Sequence, residues 1–234
     1  MPNWTSNSVI VSAKTEAELN EFLDFCEQPH TSQHINWKTN EREIDENAKG
    51  VFWNFVTPTD LEAYWGGETV KPTPEGVDVM QNIMQEMATG MDWYHWNVRN
   101  WGTKWDITLE RDEIPAFDQN NDGDWYFHWY FDTAWSPAVE AYDAMAKRFP
   151  NLSFNFEITE EAGFFAGILI YAGGELVSDT FIDSPTHSDY IDVLDIPCPE
   201  CGWADTGNCL DNVDEDVIDF LSEAEKLTTT QTGE

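Results

Sequence analysis

The sequence predicts an α+β fold, a largely antiparallel sheet with helices on one face. Three observations carry that prediction. Leu152, Phe154, Phe156 and Ile158 alternate with Ser153, Asn155 and Glu157, the period-two pattern of a half-buried strand. Val139, Tyr142, Met145, Ala146 and Phe149 recur at helical spacing until Pro150 stops the run. Trp125 to Phe131 is almost wholly aromatic, which suits a central strand covered on both faces. A further strand is expected where Trp105, Ile107 and Leu109 alternate with Asp106, Thr108 and Glu110. The central order is then strand, strand, helix, strand, strand.

From the start of the chain, Val9 and Val11 belong to a first strand. Thr15 and Glu18 form a capping box for a helix with Leu19, Phe22, Leu23 and Cys26 on its buried face. Residues 28–49 are polar and read as a surface loop or short helix. His30 and His34 would suit a metal only if that segment were helical and an acid completed the set. Val51 to Val56 reads as a second strand, and an irregular stretch runs through Gly66-Gly67. Thr73-Pro74 opens a helix with Val77, Met80, Ile83, Met84 and Met87 on its apolar face, ended by Gly90. These features form a variable insert over about residues 57–96. Met91 to Trp105 combines tryptophans with His95, Arg99 and Lys104. Such a mixture can stack nucleobases, but the bases are few, so Trp101 and Trp105 are expected in the core and Lys104 beside an acid.

Ser136-Pro137 supplies an N-cap and a first-turn proline for the helix that follows. Asp118 to Gly123 resembles the opening of a calcium loop, but Trp129 stands where the bidentate glutamate belongs, so a hairpin turn is expected. Ala172-Gly173-Gly174-Glu175 marks another hairpin.

Three anchors resemble the Api92-like or YubB-like family of phage and plasmid proteins. The first is Pro2-Asn3-Trp4 with Asn7 behind it. The second is Asn100-Trp101-Gly102-Thr103-Lys104-Trp105-Asp106. The third runs from Asp132-Thr133-Ala134-Trp135-Ser136-Pro137 through Phe149-Pro150 to Phe165-Ala166-Gly167. The resemblance spans about residues 1–180 and implies a ferredoxin-like domain and a mobile-element origin. It implies no reaction. Thr5 stands where many members carry cysteine, and residues 181–234 form an acidic C-terminal appendage without a counterpart.

Forty-five acids against eleven Lys and Arg leave a net charge of −34. Repulsion of that size opposes direct nucleic-acid binding over most of the surface. The acids either keep an aromatic-rich protein soluble, reflect a salt-adapted host, or present carboxylates as a phosphate decoy. No apolar run approaches the roughly 18 residues of a membrane span. No basic-then-apolar leader is present, so the expected location is the cytoplasm of the host cell.

Lys104, Asp106, His128 and Asp132 are the candidates for acid–base chemistry. Pro2 is another, since removal of Met1 would expose a secondary amine that burial can turn into a base. Cys198-Pro-Glu-Cys201-Gly has the form of a zinc knuckle, with Cys209 after seven residues and a fourth ligand unassigned. Free thiols are the alternative, leaving no cofactor at all.

Asp211 then caps a helix whose acids Asp211, Asp214, Glu215, Asp216, Asp219, Glu223 and Glu225 give one charge per roughly 3.2 Å of axis, at about 1.5 Å of rise per residue. One DNA strand carries a charge every 3.4 Å or about that. The expectation is a non-enzymatic protein that binds and inhibits a host DNA-handling or defence protein. The alternatives are a small-molecule or nucleotide enzyme and a virion component from a salt-adapted host.

Overall fold

The computed structural model describes residues 3–35, 42–65, 92–199 and Gly202. Its main sheet has six strands, all antiparallel to their neighbours. In chain order the elements begin with β1 (Trp4–Ala13), α1 (Glu16–Cys26), β2 (His30–Ile35), β3 (Arg42–Ala48), α2 (Val51–Phe55), α3 (Leu61–Tyr64) and α4 (Trp93–Asn100). They continue with β4 (Asp118–Gln119), β5 (Trp125–Ala134), α5 (Val139–Arg148), β6 (Ser153–Glu160), β7 (Phe165–Ala172) and β8 (Glu175–Asp183). The sheet order is β4-β5-β1-β6-β7-β8, while β2 and β3 form a separate hairpin.

β1 lies between β5 and β6, which are parallel to each other and joined through α5. This is the split β-α-β arrangement of a ferredoxin-like fold. Alternation decides which face is packed. Val9 and Val11 of β1, Phe127 and Trp129 of β5, and Phe154, Phe156 and Ile158 of β6 are buried in one cluster. Leu19, Phe22 and Leu23 of α1, Phe52 of α2, and Tyr142 and Met145 of α5 cover it. Phe22 sits at its centre, with ring centroids 5.4 Å from Phe149 and 5.5 Å from Phe154. The Tyr142 ring stacks on Phe156 at 4.0 Å. Burying each such ring stabilises the fold by about 2–3 kcal/mol.

The capping box is present. The Thr15 hydroxyl accepts from the Glu18 N–H, and the Glu18 carboxylate accepts from the Thr15 N–H. Across the sheet, Tyr190, Leu194, Ile196 and Cys198 pack against Ala166, with Ile168 and Ile182 alongside. The chain beyond β8 therefore covers part of the sheet's second face.

Five local expectations are corrected. Val51–Phe55 is a helix, because the Asp106 carboxylate accepts its first N–H groups from a distant part of the chain. The polar segment 28–49 holds the β2–β3 hairpin. Ile107 and Leu109 are buried as their alternation predicts, yet the segment joins no sheet, and its backbone link is Val51 N–H to Ile107 O at 2.9 Å. Ser136 does not cap α5; its hydroxyl donates to the Gly102 carbonyl at 2.6 Å. β5 is not covered evenly on both faces, since Tyr130 on its outer face is 67% exposed. The expected helix opened by Thr73 lies outside the described residues. Among the described residues no helix is long and apolar enough to cross a membrane.

Candidate functional site

The paired ends of β1 and β5 build the site. Trp4 faces Ala134 and Ser6 faces Asp132 in the register of the two strands. Side chains alternate there between the core and the opposite side. Thr5, Asn7 and Thr133 point inward as a buried polar set. Tyr142 Oη donates to Asn7 Oδ1 at 2.7 Å, and Asn7 Nδ2 donates to the Thr5 carbonyl at 3.0 Å and to Thr133 Oγ1 at 3.2 Å. Trp4, Ser6, Tyr130 and Asp132 therefore belong to the other side.

The segment 100–106 is clamped beside them. Thr103 Oγ1 donates to the Ala134 carbonyl at 3.0 Å and accepts from the Ala134 N–H at 3.1 Å. Trp101 is buried, with its indole N–H on the Val56 carbonyl at 2.9 Å. Asn100 donates to the Trp96 carbonyl at 2.8 Å. Gly102 has φ +88°, and a Cβ there would press on the Pro137 carbonyl at 3.0 Å, so glycine is required. Trp135 also adopts a left-handed backbone, φ 70°, unusual for a bulky residue. The strain is sustained by its N–H bond to the Asn3 carbonyl at 2.9 Å and by the clamps on both sides.

The result is an exposed aromatic patch. Trp4, Trp105 and Trp135 keep 39%, 38% and 41% of their surface in water. Trp105 is thus corrected from a core residue to a surface one, with its ring 5.8 Å from Trp4. Lys104, expected beside an acid, instead lies over rings: its Nζ is 4.4 Å from the Trp105 centroid, 5.0 Å from Trp135 and 5.7 Å from Tyr94. A cavity of about 400 Å³ opens here, with Trp4, Trp105, Tyr130, Asp106 and Asp132 in its walls.

The two carboxylates differ. Asp132 is exposed and accepts from Ser6 Oγ at 2.8 Å. Asp106 accepts from the N–H groups of Phe52 at 2.7 Å, Ile107 at 2.8 Å and Trp53 at 2.9 Å. Burial pushes its pKa up to about 6, with those backbone donors opposing the rise. Its oxygens are committed to holding α2 rather than left free for acid–base chemistry. His128 shares the outer face of β5 with Tyr130 and Asp132, opposite Ile10; its ring is parallel to Tyr130 at 6.2 Å, and it does not line the cavity itself. The structure therefore brings Asp106 and Asp132 to one cavity, sets Lys104 on the adjoining rings, and places His128 behind the Tyr130 wall rather than in the lining.

Sequence reasoning selected the motif residues but missed Trp4, Trp105 and Tyr130 as cavity walls. A signal was available, since Trp4, Ser6 and Tyr130 all fall on the unburied phase of alternating strands.

Several candidates lie outside the described residues: Pro2, Cys201, Cys209, and the acids Asp211, Asp214, Glu215, Asp216, Asp219, Glu223 and Glu225. Cys198 is buried, in a tight turn where its N–H bonds Gly202 O at 3.1 Å and Gly202 N–H bonds its carbonyl at 2.7 Å. Among the described residues, no group of three or more His, Cys, Asp or Glu could hold a metal ion. The Asp118–Gly123 segment is a hairpin turn whose Asn120 Oδ1 accepts from the N–H groups of Asp122 at 3.0 Å and Asp124 at 2.9 Å.

Residues 115–192 match the family model for the ferredoxin-like domain in Api92-like protein. The match begins just before β4 and ends beyond β8. A solved structure, protein api92 from Yersinia pseudotuberculosis, is similar at a TM-score of 0.34 and 9% identity, covering 77% of this chain and 98% of that one. No curated protein matches the chain.

Proposed function

We propose that this chain, whose residues 115–192 match the ferredoxin-like domain in Api92-like protein, is a member of that family and a non-enzymatic binding protein. Its partner is a basic, DNA-handling or defence protein of the host cell, engaged through acidic surface that stands in for phosphates and thereby blocked. The observation that carries this reading is the uncompensated charge of −34. Among the described residues, six cations are already committed. Lys14 pairs with Asp124, Lys49 with Glu110, Arg111 with Asp24 and Glu27, and Lys147 with Asp143. Arg148 lies over the Phe25 ring, as Lys104 lies over its own. What faces the solvent is an excess of carboxylates on a rigid aromatic core, which steers basic partners and repels nucleic acid. Binding is favoured over catalysis because Asp106 is spent on backbone donors and His128, stacked behind Tyr130, does not line the cavity.

The test uses the full chain immobilised and exposed to host-cell extract at about 50 mM salt. A DNA-binding protein should be retained, then released by competing duplex DNA and by roughly 200 mM salt. Retention indifferent to both, or no retained protein, overturns the reading.

A further inference from the structure

We propose that the cavity between Trp4, Trp105 and Tyr130, with Asp132 at its edge, is a seat for an arginine side chain of the basic partner. The inference rests on the binding reading above and names its anchor point. Four features support it. The first is space, about 400 Å³ open to solvent at the end of the β1–β5 ladder. The second is exposure: Trp4, Trp105 and Tyr130 are among the large apolar side chains left in water, and such patches mark contact surfaces.

The third is charge. Asp132 is exposed, and Ser6 Oγ orients its carboxylate. Asp106 adds a second carboxylate to the wall, in a protein whose overall field already attracts cations. The fourth is that rings of this patch already hold a cation: Lys104 Nζ lies 4.4 Å from the Trp105 centroid and 5.0 Å from Trp135. An aromatic face draws a cation through its quadrupole. Guanidinium suits this seat better than ammonium, because it is planar, weakly hydrated, stacks on rings and offers a two-pronged fork to a carboxylate. Lys104 is the like charge beside the seat, and it tunes the affinity downward.

The preorganised backbone fits this role. Trp135 is held at φ 70°, and the clamp of Thr103 on Ala134 locks segment 100–106 against β5. The rings are thereby fixed before any guest arrives, which lowers the ordering cost of binding.

The experiment titrates the full chain with two labelled peptides of equal length and charge, one built on arginine and the other on lysine, at about 100 mM salt. The arginine peptide should bind several-fold tighter. Trp4→Ala and Asp132→Asn should each weaken the arginine peptide by about tenfold and the lysine peptide by about threefold or less. Lys104→Met should tighten the arginine peptide by a few-fold. Asp179→Asn, an exposed acid on β8, is the control and should change neither peptide by more than about twofold.

Near-UV circular dichroism confirms that each variant is folded. Equal affinity for the two peptides, with equal losses in every variant, overturns the arginine seat while leaving the acidic-binding reading intact. Arginine selectivity that survives both Trp4→Ala and Asp132→Asn also overturns it. A selective seat combined with no DNA-competed partner in the extract would instead sink the binding reading alone.

Discussion

The two sides of the β1–β5 ladder carry opposite chemistries on the same twenty residues. On the inner side, Asn7, Thr133, Val9, Phe127 and Trp129 are sealed under α1 and α5, and the polar atoms among them are tied into a short network around the Tyr142 hydroxyl. On the outer side, Trp4, Ser6, Tyr130 and Asp132 meet water, and the rings have a carboxylate rather than a helix for company. Inner aromatics are held by packing and stabilise the fold. The outer ones expose apolar surface at a cost, and Trp135 just beyond them holds a left-handed backbone. The difference teaches that strand phase, not aromatic content, decides which rings stabilise the fold.

Substitutions on the two sides should separate these roles. Phe22→Ala removes the ring shared by α1, β5 and β6, and should cost about 3–5 kcal/mol in denaturant unfolding. A loss below about 1 kcal/mol would mean the inner side is not the load-carrying one.

The next effect is in pH. The folded pKa of Asp106 is raised to about 6 from 3.8, so the folded state holds its proton more tightly than the unfolded chain. Its ionisation therefore destabilises the fold as pH rises from about 4 to 6, by roughly 3 kcal/mol in all. Unfolding free energies of the wild type and Asp106→Asn, measured across that window, should differ by an amount that shifts against the wild type as pH rises. A constant difference would refute the shift.

Tyr142→Phe leaves Asn7 Oδ1 without its donor in the core and should cost about 1–3 kcal/mol, read as a lower thermal midpoint. The smallest effect on stability is expected on the outer side. Asp132→Asn should change unfolding free energy by less than about 0.5 kcal/mol, in contrast to its effect on peptide affinity. A large destabilisation there would erase the contrast between the two sides.

Local signals and distant ones fared differently. The Thr15–Glu18 capping box, the alternation of β1 and β6 and the apolar stripe of α5 were legible, because each depends on neighbours within one helical turn or one strand. Val51–Phe55 was not. An apolar run without period suits strand or helix equally, and the choice was made by the Asp106 carboxylate more than fifty residues away. The β2–β3 hairpin was hidden because its polar strands bear no apolar alternation. The candidate site was half visible: Lys104, Asp106 and Asp132 stood in recognisable motifs, while Tyr130 looked like core.

Composition and short-range pattern were enough to specify an acidic, aromatic-rich α+β chain with its principal helices and strands, since charge and periodicity are carried residue by residue. Which aromatics would be buried, which carboxylate would cap a helix and which would edge a cavity depended on strand register and long-range hydrogen bonds. Those pairings bring together residues more than a hundred positions apart, as at Ser6 and Asp132, and sequence spacing holds no record of them.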